Sequence, residues 1–179
     1  MRHISLSEVG PETIRRAAKV HPIVDLQIEY SLVSRGPEDK IFPVLEELGI
    51  AVSAYGVLSR GLLTGARPTG PGDYRAHLPR FAGENLAKNQ RLVDALQRIA
   101  SARGVSPAQL AIAWARAKKP FVIPTVGARS RKQLDEALGA LAIQLSPAEI
   151  AALEDAVPAS AVAGTRYTAP MMARLDSER

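Results

Sequence analysis

Residues 23–55 read IVDLQIEYSLVSRGPEDKIFPVLEELGIAVSAY: two short apolar runs, Ile23–Tyr30 and Ile50–Tyr55, on either side of a helical segment. The polar turn Ser34–Pro37 leads into a helix over Glu38–Leu48, and Gly49 sits where a helix cap belongs. A strand, a helix and a second strand within this span make a β/α unit built around a parallel sheet.

Working outward, the pattern repeats. Upstream, Arg2–Leu6 reads as a strand and Pro11–Val20 as a helix, with Ile14, Ala17 and Ala18 at helical spacing. Downstream, Gly56–Gly83 forms a Gly/Pro-rich loop far beyond the usual connection length, and loops of that kind are more often functional than idle. Helical periodicity returns over Glu84–Ala102 through Leu86, Leu92, Val93, Leu96 and Ile99, and breaks at Gly104. Ser106 and Pro107 open another helix, with Leu110, Ala111, Trp114 and Ala115 facing inward. Phe121–Thr125 is a fourth strand and Ser130–Leu138 a helix; Ser146 and Glu149 form a capping box for a last one. After Ala156 no period is evident, and the tail 157–179 is expected to be extended or loosely attached.

Four β/α units suit an open doubly wound sheet or a barrel, and periodicity does not choose between them. No G-x-G-x-x-G follows a strand and no G-x-x-x-x-G-K-[ST] occurs, which weighs against a Rossmann fold and excludes a P-loop.

Composition narrows the function classes. With 179 residues, 46% hydrophobic and 23% charged, the chain matches one globular domain rather than a disordered or repetitive scaffold. It has no cysteine, so disulfides, thiolate catalysis and cysteine-bound metals are excluded. The amino-terminal segment lacks a signal peptide's apolar core, and no run approaches the roughly 20 residues of a membrane span; a cytoplasmic location and no membrane partner are expected. The net charge of +5 is dispersed in short runs such as Arg15–Arg16 and Lys118–Lys119, with few aromatics for base stacking, so no nucleic-acid partner is expected.

In parallel β/α folds ligands gather at the carboxyl ends of strands. Here those ends carry Ser7 and Glu8; Gln27, Glu29 and Tyr30; Tyr55, Gly56 and Leu58–Gly61; and Thr125–Arg129. Hydrogen-bonding groups and glycines abound, but no histidine lies among them, and no metal-spaced pair is present. His3, His21 and His77 lack an oriented partner in sequence and are read as structural. Gln27 offers an amide suited to a carboxamide, although a glutamine satisfied within a polar barrel layer fits equally. Tyr55 sets an aromatic face beside Gly56, where backbone can approach a ligand. Gly127–Ser130 is a glycine turn before a helix start, where free N–H groups and the Arg129 guanidinium favour an anion.

Taken in order, RHISLSE, DLQIEYSL, AYGVLSRGLLTG, SPAQLAIAW and IPTVGARSRKQLDEALGAL resemble the carboxy-terminal half of the aldo-keto reductases, in the branch that includes potassium channel β subunits and many bacterial reductases. The resemblance implies an α/β fold comprising the last four β/α units of a TIM-type (β/α)8 barrel: a single partial domain over residues 1–179. It implies NADP as cofactor. Ser7 and Gln27 would hold the nicotinamide carboxamide, and Tyr55 would stack on the ring. Gly56, Leu58, Ser59, Arg60 and Gly61 would wrap the pyrophosphate, Arg75 would reach a phosphate, and Gly127, Arg129, Gln133 and Glu136 would line the adenosine end. Glu8 and Ala137 stand where many relatives have asparagine. The family's catalytic Asp, Tyr, Lys and His precede the motif at Arg2–Ser7, so no catalytic residue is carried over.

These features give several expectations. Met1 stands where relatives have a small apolar residue, as a shortened or split gene would produce. The full-length parent would transfer hydride from NADPH to a small carbonyl substrate; the alternatives are a non-catalytic nucleotide-sensing or assembly module, and a nonfunctional gene fragment. The four strands should lie in sequence order, with the first and fourth as open edges. Ile4, Leu26 and Val52 are expected to point into the open half-barrel, exposed, and to promote self-association.

Overall fold

The computed structural model describes residues 2–179; Met1, on which the reading of a shortened start rests, lies outside the described residues. Strands β1 (Ser5–Ser7), β2 (Asp25–Glu29), β3 (Ala51–Tyr55) and β4 (Val122–Pro124) form one sheet in the order β1-β2-β3-β4, all pairs parallel. Helices α1 (Pro11–Ala18), α2 (Pro37–Leu48), α3 (Gly83–Arg103), α4 (Pro107–Lys118), α5 (Arg131–Gly139) and α6 (Pro147–Ala156) follow, with a single turn α7 (Ala169–Met172) in the tail.

Local chemistry sets the boundaries. Proline opens α1, α2, α4 and α6 at a position where a missing N–H costs nothing. Ser106 with Gln109 and Ser146 with Glu149 form reciprocal capping boxes, and Gly49 and Gly104 end α2 and α3 in the left-handed conformation.

The helices cover one face of the sheet only. Leu26, Ile28, Val52 and Ala54 point toward them into a core that contains Ile14, Leu45, Leu96 and Trp114. Tyr30 stacks on Trp114 at 5.2 Å between ring centroids, beneath α2 and α4. Leu26 and Val52 are therefore fully buried, contrary to the expectation that they face the open interior, and Ile4 packs partly against the same core. Alternation separates the two faces of a strand, but which face the helices take depends on tertiary packing. The opposite face carries the row Ser7, Gln27, Ser53 and Ile123, paired in register across the four strands. That row is mostly polar, so it meets water without a large apolar penalty.

The tail also departs from expectation. The Gly10 N–H donates to Asp176 at 2.8 Å, the Ser177 N–H to the Glu8 carbonyl at 3.2 Å, and Asn89 bonds Ala163 in both directions. Residues 157–179 thus fold back over the strand ends.

Candidate functional site

A cleft of about 790 Å³ opens between the carboxyl end of β3 and the start of α5. Tyr55, Gly56, Leu58, Arg60 and Gly61 form one wall, continuing directly from β3. Gly127, Arg129, Gln133 and Glu136 form the facing wall, and Arg75 reaches in from the long loop. Ser59, read with this group, instead lies 1% exposed beneath it, its Oγ 3.3 Å from Arg80. Ser7 and Gln27 are brought together as register partners, but on the exposed inner face of the sheet and outside the cleft lining.

The first wall owes its shape to unusual backbone. Ser59, Arg60 and Gly61 are consecutive residues with φ of 47°, 56° and 90°. Non-glycine residues held left-handed cost about 1–3 kcal/mol each and gather at ligand clamps. Gly56 is required by close approach: at φ 66° an added Cβ would lie 3.0 Å from Glu29 Cγ.

The second wall is a helix start. Ser130 caps α5 by accepting from the Gln133 N–H, and Gln133 Oε1 accepts the Arg129 N–H at 2.8 Å. Among the described residues, the Arg129 guanidinium makes no hydrogen bond or ion pair, while Arg75 is clamped by Asp73, Nη2 to Oδ2 at 2.5 Å. With Arg60 held by Glu29 at 3.0 Å, the cleft therefore has two committed arginines and a free one, Arg129, beside a helix amino terminus.

Beneath the first wall lies an ionic cluster. Glu29, 1% exposed, accepts from Ser34 at 2.8 Å, Arg60 at 3.0 Å and Arg80 at 3.4 Å. Arg166, from the tail and 6% exposed, grips Glu8 through both terminal nitrogens, at 2.8 and 2.5 Å. Burial opposes ionisation of Glu8, but hydrogen bonds from Arg166, Ser177 and the Glu29 N–H, with the Arg166 charge, outweigh it and hold the carboxyl down to about 2. The Tyr55 hydroxyl is pushed well above the ordinary tyrosine range by burial and by its bonds to Tyr167 and Glu8. Sequence reasoning named Glu8 and Glu29 as strand-end residues but missed Arg80, Arg166 and Tyr167. Arg80 stands between apolar Leu78 and Phe81, a signal of a buried cation; the aperiodic tail around Arg166 offered none.

The aldo/keto reductase family model matches residues 1–158. The chain belongs to the aldo/keto reductase family. It is 41% identical over 172 residues to probable aldo-keto reductase 1 from Glycine max, a match covering 93% of this chain and 49% of that protein. It is 38% identical over 174 residues to the Schizosaccharomyces pombe aldo-keto reductase yakc, whose name carries NADP(+), covering 93% of this chain and 51% of the relative. Its fold superposes on glycerol dehydrogenase from Gluconobacter oxydans with a TM-score of 0.80 and 30% identity, covering 87% of this chain and 48% of the other. The chain spans about half the length of these aldo-keto reductases, and its four sequential parallel strands are half of the family's barrel.

Proposed function

We propose that this chain is the NADP-binding half of an aldo-keto reductase whose complete barrel reduces a small carbonyl compound. The observation that carries the reading is the cleft itself, with left-handed backbone over residues 59–61 on one side and an unpaired Arg129 at a helix start on the other. A long cofactor with a pyrophosphate and a separate 2′-phosphate fits such a channel. The Ser59–Gly61 backbone would approach the pyrophosphate, and Arg129 with the α5 amino terminus would hold the 2′-phosphate. Gln133 and Glu136 would meet the adenosine, and Tyr55 the nicotinamide, with Ser7 and Gln27 taking the carboxamide. When bound, the cofactor supplies a hydride to the substrate carbonyl.

One observation favours a non-catalytic role for the chain on its own. Tyr55 is the cleft's acid nearest the strand ends, and its hydroxyl is already given to Glu8 and pushed away from neutral pH. Proton donation to a developing alkoxide would then come from the rest of the barrel. The two open sheet edges would also make the isolated chain self-associate.

Fluorescence titration with NADPH and NADH tests the reading. Saturable NADPH binding is expected, and Arg129→Ala should weaken it by about one to two orders of magnitude while leaving NADH unchanged, since a charge-assisted contact contributes about 1.5–3 kcal/mol. Equal losses for both nucleotides would assign Arg129 to structure, and no binding of either would overturn the proposal.

A further inference from the structure

Arg166 and Tyr167, consecutive residues of the tail, bond to the first wall of the cleft without lining the cleft themselves. The Tyr55 hydroxyl stands 2.8 Å from Glu8 Oε1, 3.2 Å from Arg166 Nη1 and 3.2 Å from the Tyr167 hydroxyl. A hydroxyl has one proton to give and two lone pairs with which to accept. A carboxylate only accepts and a guanidinium only donates, so Tyr55 donates to Glu8 and accepts from Arg166, and the Tyr167 hydroxyl donates into the remaining place. All three positions of the Tyr55 hydroxyl are thus taken, and what the residue has left to offer the cleft is its ring.

Arg60 is held by the same pair. Its guanidinium lies 4.6 Å from the centre of the Tyr167 ring and donates to Glu29 Oε2 at 3.0 Å, and Arg166 Nη1 stands 3.8 Å from that same oxygen. Left-handed backbone at a residue with a side chain persists only where the surroundings over-determine it. At Arg60, with φ of 56°, the side chain supplies that determination: Glu29 takes its charge and Tyr167 its flat face. The facing wall is organised separately, since Ser130 and Gln133 bond within the start of α5.

We propose that Arg166 and Tyr167 are positioning residues for the nicotinamide and pyrophosphate half of the cofactor. They set the Tyr55 ring and the Arg60 backbone in one arrangement and touch no nucleotide. This rests on the reading of the cleft as the NADP site. A surface that is competent only part of the time lowers apparent affinity by that fraction. Loosening the pair therefore weakens a ligand that spans both walls and spares one confined to the α5 wall.

Adenosine 2′,5′-bisphosphate, which has the adenosine and the 2′-phosphate but neither pyrophosphate nor nicotinamide, is a ligand of the second kind. Tyr167→Leu takes the hydroxyl from Tyr55 and the ring from Arg60 while keeping the Arg166–Glu8 pair. In calorimetric titrations of the whole chain it should weaken NADPH about tenfold and leave the bisphosphate within about twofold. Tyr167→Phe, which keeps the ring, should fall between Tyr167→Leu and the unaltered chain. Arg166→Gln should lose at least as much as Tyr167→Leu, and Arg166→Lys should recover part of it. Hydrogen exchange without nucleotide gives a second readout. The Ser59 and Gly61 amides, bonded to the Gly56 and Leu58 carbonyls, should exchange faster in Tyr167→Leu, whereas the Arg129 amide, bonded to Gln133, should not change. Equal loss of both ligands would reduce the pair to a structural role, and either unchanged NADPH affinity or unchanged exchange at Ser59 and Gly61 would overturn the proposal. No binding of either ligand by the unaltered chain would overturn the cofactor reading, and the exchange rates alone would then decide whether the pair positions this wall.

Discussion

Tyr55, at the end of β3, donates its hydroxyl to Glu8 just beyond β1 at 2.8 Å, so the bond passes over the end of the intervening β2. The same carboxylate receives Arg166 and Ser177 from the tail. One side chain therefore ties together two strands and the last segment of the chain. Glu8→Gln should remove about 1.5–3 kcal/mol, the contribution of hydrogen bonds to a charged group, and speed tryptic cleavage after Arg166. Glu47→Gln, which breaks a solvent-screened pair with Arg15, should leave the unfolding midpoint nearly unchanged. Equal changes in unfolding midpoint for the two variants would contradict this ranking.

The same contact sets a dependence on acidity. The Glu8 carboxyl is held near 2, against 4.5 for an unperturbed group. A carboxylate depressed in the folded state stabilises that state above its unfolded value and loses the contribution as pH falls through the folded one. Tail docking should therefore be constant from pH 7 to 5 and weaken between about 4.5 and 2. Asp176, also depressed, chiefly by its bond from the Gly10 N–H, acts in the same direction. Hydrogen exchange at the Ser177 amide is the readout, and in Glu8→Gln it should lose most of its response to acid.

Two glycines in the cleft should be irreplaceable and a third expendable. At Gly61, with φ of 90°, an added Cβ would meet that of Ala66 at 2.9 Å, and at Gly56 it would meet Glu29. Gly61→Ala and Gly56→Ala should each lower stability by about 1–3 kcal/mol. Nothing lies within 4 Å of a Cβ at Gly127, so Gly127→Ala should leave the melting temperature unchanged. Chemical denaturation of the three variants decides the matter.

The purified 179-residue chain should show no carbonyl reductase activity, because the Tyr55 hydroxyl in its cleft is already given to Glu8 and pushed far above neutral pH. Loss of general acid catalysis alone removes about 10² to 10⁴ in rate. NADPH oxidation at a rate proportional to protein and surviving repurification would refute this, and Tyr55→Phe would then be the first variant to measure.

Much of the fold was legible because it is written locally. Proline and serine mark the starts of α4 and α6, glycines mark the ends of α2 and α3, and apolar runs mark β2 and β3. The helix-covered face of β2 was not legible, since Leu26 and Gln27 alternate identically whichever side is covered. Nor was the docking of the tail, which depends on single long-range partners, Arg166 with Glu8 and Asp176 with Gly10, rather than on any periodicity. In the cleft, the wall residues follow β3 and precede α5 directly in sequence, so strand-end reasoning reached them. Arg80 arrives from the far end of a long loop and could be found only in three dimensions.

The bond from the Gly10 N–H to Asp176 joins positions 166 residues apart in the sequence. Arg166, Asp176 and Ser177 all fasten to the short segment Glu8–Gly10, so the residues after Ala156 act as a clasp with two separate catches. A single cut in the backbone between Tyr167 and Leu175 would leave one catch on each piece. Both pieces would stay seated on the same three residues, and the nicked polypeptide should come apart only when acid or salt releases the carboxylates.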